Sequence, residues 1–164
     1  MELKPPDEAA MQDIGAALAA CLPDLRRHHL LLALQGELGS GKTTLARGLL
    51  RALGVEGPIH SPTFSLVEPY ETGAGTIHHL DLYRLQGGDA ELDALGYRDY
   101  RGMPGLVIVE WPEQGGAGLG PIDLKILLEH LPAGRRLWIE AGTETGRAWR
   151  DALRDGRIWL KNLN

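Results

Sequence analysis

Only one cysteine, Cys21, occurs in the 164 residues, which excludes an internal disulfide. In an amphipathic stretch it reads as a small core residue of a protein from a reducing compartment. Asparagine is confined to Asn162 and Asn164, so the Asn-Lys-x-Asp motif of guanine-specific switches is absent. No apolar run approaches the ~20 residues that span a bilayer. Residues Met1–Glu8 also lack the basic start and apolar stretch of a signal peptide, so the expected location is cytoplasmic, with no membrane partner. Basic charge is not in excess: 17 Lys and Arg stand against 22 Asp and Glu, a net charge of −5. That balance argues against a broad phosphate-neutralising surface, so DNA is not an expected partner. Neither an internal repeat nor a low-complexity tract is visible. The length suits one domain, spanning residues 1–164, that buries a sizeable core.

What the chain does have is Gly36-Glu37-Leu38-Gly39-Ser40-Gly41-Lys42-Thr43, which fits the phosphate-binding pattern G-x-x-x-x-G-K-[ST] at every fixed position. An apolar run of strand length, 29–35, precedes it, and 44–53 has apolar residues at helical spacing. The motif therefore lies on a strand-to-helix turn. Glycines there let the backbone wrap a polyphosphate, with N–H groups and the positive end of the next helix aimed at the anion. In this reading residues Glu37, Leu38, Gly39, Ser40, Gly41, Lys42, Thr43 and Thr44 form the nucleotide cradle. Lys42 reaches the β- and γ-phosphates and the Thr43 hydroxyl holds Mg²⁺.

Asp7 is placed to cap a helix over 8–22, which Pro23 ends. The alternation in 61–70 predicts a strand, with a turn at 73–75 and a returning strand over 76–83, a β-hairpin that would make the sheet mixed. A short helix over 89–95 closes at Gly96, and 97–105 reads as loop or a further short helix. Gly105–Glu110 predicts a central strand buried on both faces, and 114–121, with four glycines, a flexible connection. Strands follow at 122–130, which could be helical on propensity, and at 135–141; a last helix covers 145–153, before an apolar end at Ile158-Trp159-Leu160. The expected class is α/β: a phosphate-loop NTPase-like mixed β-sheet with flanking helices.

Mg²⁺ beside a nucleotide calls for an acid at a neighbouring strand end. Glu110, at the end of the cleaner apolar run, is the better metal-side acid. Asp81 is its companion, orienting water or the metal shell, or else a turn-capping carboxylate. Thr63 lies 20 residues beyond Thr43, where switch proteins keep a loop that senses the γ-phosphate; an ordinary strand start is the other reading. His78 and His79 point to opposite faces of a strand and cannot chelate one metal together. Trp111 is either a core or interface aromatic or a neighbour of the phosphates. Arg147, Arg150 and Arg154 share a helix face, interleaved with acids, and read as a solvated, salt-bridged surface.

The phosphate loop, Ser61-Pro62-Thr63-Phe64-Ser65-Leu66-Val67-Glu68-Pro69-Tyr70, His79-Leu80-Asp81-Leu82-Tyr83-Arg84-Leu85 and Val109-Glu110-Trp111-Pro112-Glu113 together resemble the TsaE (YjeE) family. These are the small ATPases of tRNA threonylcarbamoyladenosine biosynthesis. The resemblance covers about residues 5–140. It implies a cytoplasmic ATPase working with the TsaB and TsaD proteins, which transfer a threonylcarbamoyl group to adenosine 37 of tRNA, so that tRNA is met only through the complex. It also implies ATP and ADP as ligands and Mg²⁺ as cofactor. Lys42 would then lie on phosphate, Thr43 and Glu110 on the metal, Thr63 and Asp81 near the γ-phosphate as switch-like catalytic residues, and Trp111 beside the site. Met11 departs from the family, whose members often carry Thr there near the base, and Arg135 is a weak candidate for a nucleotide contact. The alternatives are a small-molecule kinase, for which Arg98 and Arg101 offer only a faint lid, and a nonenzymatic ATP-gated adaptor.

Overall fold

A computed structural model describes residues 1–86 and 88–156. Its elements are β1 (Glu2–Leu3), α1 (Glu8–Ala20), β2 (His29–Gly36), α2 (Lys42–Ala52), β3 (Val67–Thr72), β4 (Gly75–Asp81), α3 (Asp89–Ala94), α4 (Tyr97–Arg101), β5 (Gly105–Glu110), β6 (Leu124–His130), β7 (Arg135–Ala141) and α5 (Glu144–Asp155). The strands form one seven-stranded sheet in the order β1-β7-β6-β2-β5-β4-β3. Its four middle strands, β6, β2, β5 and β4, run parallel, and β3, β7 and β1 pair antiparallel at the flanks. The sheet is mixed, as the hairpin predicted.

Period-two alternation sorts the middle strands between two cores. Leu30, Leu32 and Leu34 of β2 and Ile108 of β5 meet α1, α2 and Trp149 of α5 on one face. Leu31, Val107 and Val109 face Leu82, Leu92, Tyr97 and Leu119 on the other. β5 is buried at all six positions, as an apolar run with helices on both sides should be. The Asp7 carboxylate caps α1, accepting from the Ala10 N–H at 2.8 Å. α1 and α2 approach each other over two glycines: a Cβ on Gly15 would overlap the Leu45 carbonyl, and one on Gly48 the Gln12 carbonyl. Among the described residues no helix is long and apolar enough to cross a membrane.

Three expectations need correction. Ser61 to Leu66 is not strand: β3 begins at Val67, Leu66 sits in the left-handed region (φ 64°) and its N–H returns to the Pro62 carbonyl. The hydroxyls of Ser61 and Thr63 instead bind Asp81 at the end of β4. Residues 114–121 are not a slack connection, since Pro112–Gln114 and Gly116–Leu119 are 3₁₀ turns. The Tyr97 hydroxyl donates to the Leu119 carbonyl at 2.9 Å and the Asp89 carboxylate accepts from the Gly118 N–H. Residues 124–130 form the expected strand, and the helical alternative is not taken. Cys21 is a half-buried C-cap of α1 packed at the edge of the core, where burial pushes its thiol pKa up. The apolar run at 158–160 lies outside the described residues.

Candidate nucleotide-binding site

The carboxyl ends of β2, β5 and β4 lie side by side, with Leu34 in register with Glu110 and Asp81 with Glu110. The loop from Gly36 to Gly41 leaves β2 at that edge and enters α2. Gly36 must be glycine because a Cβ would run into the Leu128 carbonyl of β6. Gly41 precedes α2 in the left-handed region, at φ 105°. Beyond it Lys42 is almost wholly buried. Its Nζ donates to the carbonyls of Gly36 (2.7 Å) and Glu37 (3.0 Å) and lies 3.9 Å from the centre of the Trp111 ring. Burial holds the Lys42 ammonium below the ordinary lysine pKa, against the opposing pull of Glu110, Asp81 and Glu113.

Glu110 is buried and uses both oxygens. Oε2 accepts from the Thr43 hydroxyl at 3.0 Å, and Oε1 pairs with His79 Nε2 at 2.9 Å. Asp81 is buried beside it. One of its oxygens accepts from the hydroxyls of Ser61 and Thr63, the latter at 2.9 Å, and the other from the Tyr83 N–H at 3.0 Å. Asp81 is therefore both a turn cap and a partner of the Ser61–Thr63 segment. Trp111 is left-handed at φ 59° and tilts against Tyr83, ring centres 5.0 Å apart. Leu66 and Trp111 are the two non-glycine residues with positive φ among the described residues; Trp111 lines the site, and the Leu66 carbonyl accepts from the Asp81 N–H.

One cavity of about 310 Å³ collects most of the predicted residues: Leu38, Gly39, Gly41, Lys42, Thr43 and Thr44 from the loop, then Thr63, Asp81, Glu110 and Trp111. Two loop residues stand apart. Glu37 lines another groove, beside Gln35 and Leu127, and the Ser40 hydroxyl is buried without a partner. A neighbouring cavity of about 360 Å³ shares Gly39, Gly41 and Thr44 and is closed by Met11, Glu8 and Arg135. Arg135 donates to the Gly39 carbonyl at 3.1 Å and to that of Ser40 at 3.2 Å. Arg98 and Arg101 are engaged elsewhere, with Asp93 and with the Gly118 carbonyl, and Arg150 and Arg154 pair with Asp151.

Sequence reasoning missed His79, Ser61 and Tyr83. For His79 a signal existed: it stands two residues before Asp81 and so shares its face of β4. The cross-strand neighbour it meets there follows only from the pairing of β4 with β5.

The oxygen set here, a hydroxyl and two carboxylates, has the hard-donor chemistry that Mg²⁺ takes, and the Thr43–Glu110 bond shows two of those donors already within reach of one another. Comparison with known proteins agrees with the fold. A crystal structure of Bacillus subtilis YdiB superimposes with a TM-score of 0.76 over 95% of both chains at 24% identity, a likeness of fold. Curated proteins named tRNA threonylcarbamoyladenosine biosynthesis protein TsaE are similar in sequence. That of Haemophilus influenzae is 36% identical over 87% of this chain and 90% of its own length. That of Synechocystis is 43% identical over 70% and 71%, and that of Aquifex aeolicus 36% identical over 73% and 82%. The model of the family described as threonylcarbamoyl adenosine biosynthesis protein TsaE matches residues 5–137, and with that span the chain belongs to the TsaE family.

Proposed function

We propose that the chain, acting as one ATPase domain in the cytoplasm, binds ATP with Mg²⁺ and hydrolyses it to ADP and phosphate. Its turnover supports TsaB and TsaD in threonylcarbamoylation of adenosine 37 of tRNA. The observation that carries the reading is the convergence of Lys42, Thr43, Glu110 and Asp81 on one cavity at the mouth of a glycine loop.

Each residue has a task its position supports. The loop N–H groups and the start of α2 receive the phosphates. Lys42 exchanges its two carbonyl partners for phosphate oxygens, and its lowered proton affinity is offset by the anion. Thr43 and Glu110 would hold Mg²⁺, which would supply positive charge against the phosphates. Asp81 positions the attacking water and takes its proton as the new P–O bond forms and the bond to the β–γ bridging oxygen breaks; the proton then passes to the phosphate product. The second cavity, between Met11 and Arg135, is large enough to take the base side of the nucleotide.

A second reading has one observation in its favour. With Ser61 and Thr63 bonded to Asp81, and Thr43 and His79 to Glu110, both carboxylates of the cavity are engaged, which suits an ATP-gated adaptor. ATP turnover by the purified chain, alone and with TsaB and TsaD, separates the two, measured beside tRNA modification over many turnovers. Slow turnover alone, with modification dependent on Lys42, supports the ATPase. Modification sustained by ATP binding without any hydrolysis supports the adaptor, and turnover that rises with a small-molecule acceptor instead would point to a kinase.

A further inference from the structure

We propose that His79 is a positioning residue for Glu110, setting the carboxylate orientation on which divalent-cation binding depends. This rests on the reading of Glu110 as the metal-side acid. His79 and Asp81 occupy one face of β4, and the register sets His79 opposite Ile108 and Asp81 opposite Glu110. Glu110 is thus the diagonal neighbour of His79, close enough for the Nε2–H to donate to Oε1 at 2.9 Å.

Three observations give that bond a purpose beyond packing. The ring is fully buried, with Ile108 of β5 and Glu68 of β3 as its register partners on either side. Its other nitrogen, Nδ1, is buried with no partner, a polar atom that a leucine at the same place would not bring. The bond engages the one Glu110 oxygen that Thr43 does not. A glutamate's terminal torsion is otherwise broad and two-fold. Held at Oε1 by His79, the carboxylate turns Oε2 towards Thr43, where the cation is expected. Groups that orient a metal-binding side chain in this way typically change metal affinity 10–100-fold when removed.

The test is a Mg²⁺ titration of the purified full chain with a fluorescent ATP analogue, reading the Mg²⁺ concentration for half-maximal effect and, separately, nucleotide affinity without metal. His79→Gln places an amide N–H near the position of Nε2; His79→Asn is polar but too short to reach Glu110; His79→Leu is apolar. The expected result is that Gln stays within about twofold of the native chain while Asn and Leu need about tenfold more Mg²⁺, with metal-free nucleotide affinity unchanged. Should the leucine variant not fold, the contrast between Gln and Asn decides the question alone. Equal Mg²⁺ requirements for Gln and Asn, or an Asn variant like the native chain, would overturn the proposal. Glu110→Gln is the control: if it shifts the Mg²⁺ requirement and the His79 variants do not, the His79 proposal alone falls. If Glu110→Gln changes nothing, the reading of Glu110 falls with it. In the Glu110→Gln background, His79→Asn should add no further shift.

Discussion

At the scale of single residues, Lys42 is the buried cation of the site. Two backbone carbonyls and the Trp111 face hold its ammonium, and burial lowers its pKa. Lys42→Ala should weaken ATP binding by a factor of ~100 or more, as loss of a buried charge-assisted contact worth about 3 kcal/mol requires, and equilibrium titration with a labelled nucleotide checks it. Glu110→Ala and Asp81→Ala should differ from Lys42→Ala in kind: both keep most nucleotide affinity and lose hydrolysis by about 10²-fold or more. Normal turnover by Glu110→Ala would remove it from the metal. These residues were legible in the sequence because a fixed spacing, or an acid at the end of an apolar run, marks them. The partners of His79 and Ser61 were not, because His79 meets Glu110 only through the pairing of β4 with β5 and Ser61 meets Asp81 only through the fold of the 61–66 segment.

At the scale of elements, local chemistry and long-range pairing contributed differently. β5 was readable from Leu106-Val107-Ile108-Val109, a short β-branched run behind Gly105 of the kind that a doubly covered strand buries at every position. β1 has two residues and exists because β7 offers Trp138 and Leu137 as partners; no local pattern announces it. The 61–66 segment misled for the opposite reason: its alternation is strand-like, but Asp81 captures its hydroxyls. The contact of α1 with α2 yields an expectation of its own. Gly48→Ala should push the helices apart and lower unfolding free energy by about 1–3 kcal/mol, read as a shift in denaturant midpoint. α4 gives another. Burial raises Tyr97 and Tyr100 to about 12, above the ordinary value near 10. Both phenols stay protonated in the fold after they would ionise in the unfolded chain, so their contribution is complete below pH ~10 and is lost as pH rises towards 12. Phenolate absorbance and thermal midpoints across that range check it, and Tyr97→Phe should flatten the loss.

At the scale of the whole molecule, three adjacent parallel strands deliver their carboxyl ends to one edge, so ligand energy enters at the centre of the sheet. Mg²⁺ and ATP at a hundred times the dissociation constant should therefore stabilise the chain by about 2.7 kcal/mol. Chelating the metal should take away part of that gain, and Lys42→Ala nearly all of it. Differential scanning calorimetry measures all three.

The clasp of Ser61 and Thr63 on Asp81 has a quantitative corollary. If the Asp81 oxygen that accepts from those hydroxyls is the one that takes the water proton, the rate of the proposed hydrolysis is an intrinsic rate scaled by the fraction of molecules with the clasp undone. If that fraction were ~1%, basal turnover would be throttled about a hundredfold, and a partner that recognises only the undone form could restore that factor while forfeiting the same hundredfold in its own apparent affinity. The two hydroxyls would in that way set a ceiling on how strongly any partner can accelerate the chain, and removing them should raise idle turnover and shrink the partner's effect by one common ratio.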